Sequence, residues 1–127
     1  MKFLYLAVGG VLGTFLRYAI SGWTYRFTDS TFPWGTLIVN LLGTFAVGFL
    51  WETFEHTTTS PYLKLFALAG VLGAFTTFST FGLETFNLLR DGEIKWALMN
   101  VLLSNVVGMA MVFLGFATSR FLFSVVR

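Results

Sequence analysis

Of the 127 residues, 56% are apolar and 11% charged, and mean hydropathy is +0.78. A soluble domain carries about 25% charged residues, so this chain belongs in a membrane, where several spans of about 20 residues leave no length for a soluble catalytic domain. A formal charge of +2 on scattered basic residues offers no nucleic-acid surface, and the lack of cysteine excludes disulfides, thiolate metal sites and cysteine nucleophiles.

In chain order, residues 3–22 form the first predicted span, interrupted by one charge, Arg17. Gly9 and Gly13 make a Gly-x-x-x-Gly pair, with Gly10 beside it, that lets another helix approach closely. The plainer alternative is that glycine is common in membrane helices. A cleaved signal peptide fits poorly: Lys2 is a thin basic start, no A-x-A site follows, and Arg17 breaks the apolar run. Residues 23–33 are a polar, aromatic connector containing Arg26, Thr28, Asp29, Ser30 and Thr31. Pro33 suits the first turn of a helix. The second span, 34–51, holds Asn40, with Glu52, Glu55 and His56 at its far end. His56 reads as interfacial, because no cluster of further ligands accompanies it. A turn at 57–61 leads to a third span at 62–89, and Arg90-Asp91-Gly92-Glu93 leads to a fourth at 94–118. Trp23, Tyr25, Trp34, Trp51, Tyr62 and Trp96 fall near the span ends, as interfacial aromatics do.

The third span contains the least ordinary stretch, Gly-Val-Leu-Gly-Ala-Phe-Thr-Thr-Phe-Ser-Thr-Phe from Gly70 to Phe81. It combines glycines, three phenylalanines and the hydroxyls of Thr76, Thr77, Ser79 and Thr80. A membrane helix gives up regular hydrogen bonding only where the freed groups face protein, water or an ion. A helix broken near its middle here therefore implies a bound ion or a conducting path.

Four spans put the N-terminus, the 57–61 turn and the C-terminus on one side, A, and the other two connectors on side B. Lys2, Lys64, Arg120 and Arg127 lie nearest A; Arg17, Arg26, Arg90 and Lys95 lie nearest B. Basic loops set membrane orientation, so this balance predicts insertion both ways and an antiparallel dimer. Arg17, Asn40, Glu84 and Asn100 each fall about one and a half turns inside the B end of a span. Thr36 and Ser104 extend these polar rows by one turn. The A halves read as nearly clean. One subunit thus carries half a polar route, an inverted copy supplies the rest, and Phe78 and Phe81 sit where the halves meet.

These residues resemble the small fluoride-channel family known as Fluc or CrcB along essentially the whole chain. The resemblance rests on Gly-Gly-x-x-Gly-x-x-x-Arg (Gly9 to Arg17), Trp-Gly-Thr-x-x-x-Asn (Trp34 to Asn40) and Gly-x-x-Gly-x-x-Thr-Thr-Phe-Ser-Thr-Phe (Gly70 to Phe81), with Glu84 beyond. It implies an all-α membrane protein, a dual-topology antiparallel homodimer with two fluoride pores in a cell membrane, the bacterial inner membrane being the expected one. It also implies a structural sodium ion at the centre of the dimer interface, held by the backbone carbonyls of Gly73 and Thr76. Asn40 resembles the pore asparagine that hydrogen-bonds the anion, and Phe78 and Phe81 the pair whose ring edges face it. Asn100 and Ser104 match a polar track in the fourth span, whose next turn offers Gly108 where relatives carry a hydroxyl.

Fluoride is small and strongly hydrated, so donors must replace its water: the Asn40 amide and the hydroxyls of Thr36, Ser79, Thr80 and Ser104. Aromatic edges carry partial positive charge and can also meet an anion. Arg17 and Glu84 read either as vestibule groups or as a buried ion pair. Two other function classes compete. A small multidrug-type, proton-coupled exporter needs a membrane carboxylate, for which Glu84 is the candidate; a non-transporting helper subunit has no use for the polar half-track.

Overall fold

The computed structural model describes residues 1–126; Arg127, one of the basic residues counted for side A, lies outside them. All regular structure among the described residues is helical. Helix α1 is Lys2–Phe27 and α2 is Trp34–His56. The third segment, Pro61–Arg90, consists of α3 (residues 61–75) and α4 (Phe78–Arg90), and α5 is Ile94–Val126. Four segments are thus long and apolar enough to cross a membrane, and the chain is a multi-pass membrane protein.

Helices outrun the predicted spans because hydropathy marks where lipid contact ends, whereas backbone hydrogen bonding continues into the polar ends. Thus α1 runs past residue 22 to Phe27, α2 past 51 to His56, and α5 past 118 to Val126. The Thr24 and Thr28 hydroxyls donate to the carbonyls of Ile20 and Thr24 one turn back, at 2.8 and 3.0 Å, so polar residues at the end of α1 are satisfied locally.

Close packing runs along glycines. A Cβ on Gly13 would strike the Val71 carbonyl, and one on Gly9 would lie 2.7 Å from the Phe66 carbonyl, so α1 seats directly on the backbone of α3. Across α2 and α5, Gly48 faces the Val112 carbonyl and Gly115 the Phe45 carbonyl in the same way. Both contacts are the small-residue packing that membrane helices use when there is no hydrophobic drive between them. Val39, Leu72 and Phe75 form the small apolar core, flanked by Ile20, Ala46, Val47, Leu50 and Leu68. Most large apolar side chains, Phe3, Phe15, Phe86 and Phe113 among them, point outward.

At end B the connector is pinned by Phe32, whose buried ring lies 4.7 Å from Trp34 and 5.8 Å from Trp96. The α4–α5 turn closes with Gly92 at φ 79°, where Glu93 N–H donates to the Leu88 carbonyl at 2.8 Å.

Just beyond the predicted spans at end A, Glu52 is buried and hydrogen-bonds His56 Nε2 at 2.9 Å, Ser119 is fully buried and bonds Thr53 at 2.8 Å, and the His56 ring stacks on Phe123 at 5.0 Å. The i,i+4 spacing of Glu52 and His56 lets one helix face bury a carboxylate with its own partner.

Candidate functional site

Between α3 and α4 the backbone is extended for two residues, Thr76 at φ −79°, ψ 155° and Thr77 at φ −148°, ψ 115°. Each hydroxyl in the stretch has local employment. Thr76 Oγ1 donates to the Leu72 carbonyl at 3.0 Å, closing α3. Thr77 Oγ1 accepts from Thr80 N–H at 3.2 Å, capping α4, and bonds the Thr80 hydroxyl at 2.9 Å and that of Ser79 at 3.4 Å.

Thr77 leaves helical geometry without stranding its own backbone because α2 supplies a substitute. Asn40 Nδ2 donates to the Thr77 carbonyl at 3.0 Å, and Thr77 N–H donates to Asn40 Oδ1 at 2.8 Å. In an unbroken helix that N–H would bond the Gly73 carbonyl; its diversion leaves that carbonyl free of its i+4 donor. Asn40 keeps one further N–H beyond the pair.

Three cavities adjoin one another along this region. The outermost, about 260 Å³, lies at end B beside Ser30, Thr31, Asn87 and Asp91 and shares Tyr25 and Glu84 with the next. The second, about 150 Å³, is lined by Arg17, Ser21, Thr36, Thr80 and Glu84. It shares Thr77 with the third, about 270 Å³, lined by Asn40, Thr44, Thr76, Phe78, Phe81, Ser104 and Asn105.

Among the predicted site residues, Asn40, Phe78, Phe81, Ser104 and Thr76 therefore gather at the inner cavity, and Arg17, Thr36, Thr80 and Glu84 at the middle one. The Phe78 and Phe81 rings lie 5.5 Å apart, with Phe78 81% exposed and Phe81 buried. Gly73 and Ser79 are exposed and Asn100 is 1% exposed; none of them lines the three cavities above. Asn100 works behind the lining, donating to Thr85 at 3.0 Å while its Oδ1 accepts from Ser104 at 3.4 Å, which orients that hydroxyl.

The two readings of Arg17 and Glu84 now separate. Both face the middle cavity, but they do not bond each other: Arg17 Nε and Glu84 Oε2 are buried without a partner, while Glu84 Oε1 accepts from Thr36 Oγ1 at 2.7 Å. Tyr25 belongs to this group as well, its ring filling the space a side chain at Gly35 would occupy. Neither Tyr25 nor Asn105 is singled out as a site residue by the sequence: Tyr25 reads there as an interfacial aromatic, and Asn105 carries no motif.

Fold and site define a small polytopic membrane protein with polar cavities in series beside a two-residue helix break. The chain belongs to the CrcB family: the family described as "CrcB-like protein, Camphor Resistance (CrcB)" matches residues 4–116. Similar proteins include one from Desulforapulum autotrophicum, 44% identical over 94% of this chain and 96% of its own length. One from Parabacteroides distasonis is 40% identical over 100% and 99%, and one from Geobacter metallireducens 46% identical over 92% and 95%. Each of the three is named a fluoride-specific ion channel FluC.

Proposed function

We propose that the protein is a passive, fluoride-selective channel and not an enzyme, exporting fluoride across the cell membrane and so conferring fluoride resistance. The single observation that carries this reading on the molecule is the run of three adjoining cavities ending at Asn40, Phe78, Phe81 and Ser104, in a family whose similar members bear the fluoride-channel name.

The lining is suited to a small anion. In the middle cavity fluoride passes Arg17, whose charge offsets the loss of water there and whose buried Nε has a donor to give. Further in, the spare N–H of Asn40 and the ring edges of Phe78 and Phe81 take over the hydration shell, while the Ser104 hydroxyl, whose proton goes to Asn100 Oδ1, lines the wall. Neutral donors allow release, which conduction requires as much as binding. Thr36 and Thr80 line the middle cavity, Asn100 acts by orienting Ser104, and Ser79 acts through the cap of α4.

The functional unit in this reading is an antiparallel, dual-topology homodimer with two pores. Balanced basic residues and the placement of all three cavities from end B inward support it. Two carbonyls per chain, those of Gly73 and Thr76, suit a structural sodium ion shared by two inverted subunits: Thr77 N–H is diverted from the first to Asn40 and Thr80 N–H from the second to Thr77 Oγ1. When bound, sodium would neutralise the carbonyl dipoles at the two breaks. The backbone of this chain supplies the remainder, with Asn40 fixing Thr77 and Thr76 closing α3.

Purified protein in liposomes tests the function. Fluoride efflux that greatly exceeds chloride efflux, with no proton movement coupled to it, is the expected result. Substrate-driven proton flux would replace the channel with an exporter, and silence to both would leave a helper subunit.

A further inference from the structure

Helix α5 does not keep one winding. From Leu103 to Val107 it passes through π-helical turns before resuming at Gly108. A π turn pairs N–H with the carbonyl five residues back instead of four, and such turns gather at functional sites. Within it the Asn105 side-chain amide donates to the Val101 carbonyl at 2.8 Å. That bond fixes which way the amide points, since only its NH₂ end can serve a carbonyl.

The widened turn has a consequence for the inner cavity. Neighbouring residues on a regular helix point about 100° apart, yet Ser104 and Asn105 both line the cavity that holds Asn40, Phe78 and Phe81. One N–H of Asn105 is committed to Val101, and the second has no partner among the described residues.

We propose that Asn105 is a second amide donor in the ion path, presented by the π turn of α5 beside Ser104, and that it helps decide which anion passes. This rests on the channel reading above. Two amides donating from α2 and α5 favour a small anion that accepts strong hydrogen bonds over a larger, weaker acceptor such as chloride. The position also bears on Gly108, one turn beyond Ser104, which carries no hydroxyl: Asn105 supplies polar lining in the same stretch of α5.

The test separates this donor from a mere cap on the π turn. A serine hydroxyl can back-bond the carbonyl four residues earlier, so Asn105→Ser keeps the Val101 contact and loses the second N–H. Expected is a fall in fluoride efflux of about tenfold, the scale of one hydrogen bond to an ion, with a lower fluoride-to-chloride ratio and unchanged gel filtration and thermal midpoint. Asn105→Gln, which retains an amide, should recover part of the flux. Asn105→Ser that conducts like wild type overturns the inference, as does flux lost only in step with thermal stability in both variants. Wild-type liposomes that pass no fluoride would instead sink the underlying channel reading; a conducting wild type beside a conducting Asn105→Ser sinks the role of Asn105 alone.

Discussion

Asn40 and Thr77 are joined by two hydrogen bonds, Nδ2–H to the Thr77 carbonyl at 3.0 Å and Thr77 N–H to Oδ1 at 2.8 Å. The pair imitates one rung of a β-ladder inside a helical protein and satisfies the backbone where α3 and α4 part. Asn40 therefore has two tasks, bracing the break and lining the inner cavity. The two can be separated by substitution. Asn40→Asp keeps an acceptor for Thr77 N–H but cannot donate to its carbonyl; Asn40→Ser is too short to make both bonds. Each lost bond costs about 1–3 kcal/mol. Asn40→Ser should show the larger drop in thermal midpoint, and Asn40→Asp, with a charge facing the cavity, the larger drop in fluoride efflux. Melting curves and liposome flux that rank the two variants identically would argue against a dual role.

Thr36 holds Glu84 through the 2.7 Å bond to Oε1, while Oε2 has no partner. Thr36→Val should cost about 1–3 kcal/mol, the penalty for leaving a second oxygen of this buried carboxyl without a partner, and Thr36→Ser should restore most of it. Thermal unfolding in detergent distinguishes them, and equal midpoints for the two variants would remove this bond as a restraint on the carboxylate.

Glycines that look alike in the sequence should behave differently. At Gly48 and Gly115 an added Cβ meets backbone carbonyls of the facing helix, which cannot swing aside. Alanine there should cost about 1–3 kcal/mol or more by overpacking. At Gly10 and Gly22 nothing lies within 4 Å, so alanine should gain about 0.5–1 kcal/mol of helix propensity. Yield and thermal midpoint of the four single variants provide the comparison.

The proposed dual topology implies that the orientation of this chain is easy to tip. A short run of lysines appended at the C-terminus should force one orientation and reduce fluoride efflux, and co-expression of an oppositely biased copy should restore it. Reporters of either compartment fused to the unmodified C-terminus should both respond; response from one alone contradicts the antiparallel dimer.

Sodium, if held by the Gly73 and Thr76 carbonyls, is part of the scaffold. Replacing it with a bulky organic cation should lower the thermal midpoint of the dimer, while a sodium gradient should drive no fluoride movement. Fluoride flux that follows the gradient in direction and amount would make sodium a transported species.

Membrane class, four spans and their connectors were legible in the sequence alone, because hydropathy and turn chemistry are properties of short windows. Asn40, Glu84 and Asn100 each lie six residues from the end of their helix, as the predicted spans have them, but Arg17 lies ten from the end of α1, because that helix runs past its predicted span. The stretch from Gly70 to Phe81 announced itself by composition, and the motifs through it carried the family. Partners were another matter. Asn40 meets Thr77 37 residues away, and Thr36 meets Glu84 48 residues away, so which groups pair depends on how the helices are set against one another. The same packing turned Asn100 from a lining residue into a buried brace for Ser104, and buried Glu52 and Ser119 just beyond the predicted spans. It also placed π turns at Leu103–Val107, bringing Asn105 into the cavity. A helix's face and winding at one position are set by whatever presses on it from the neighbouring helices, and that is a property of the tertiary structure that no window of the sequence contains.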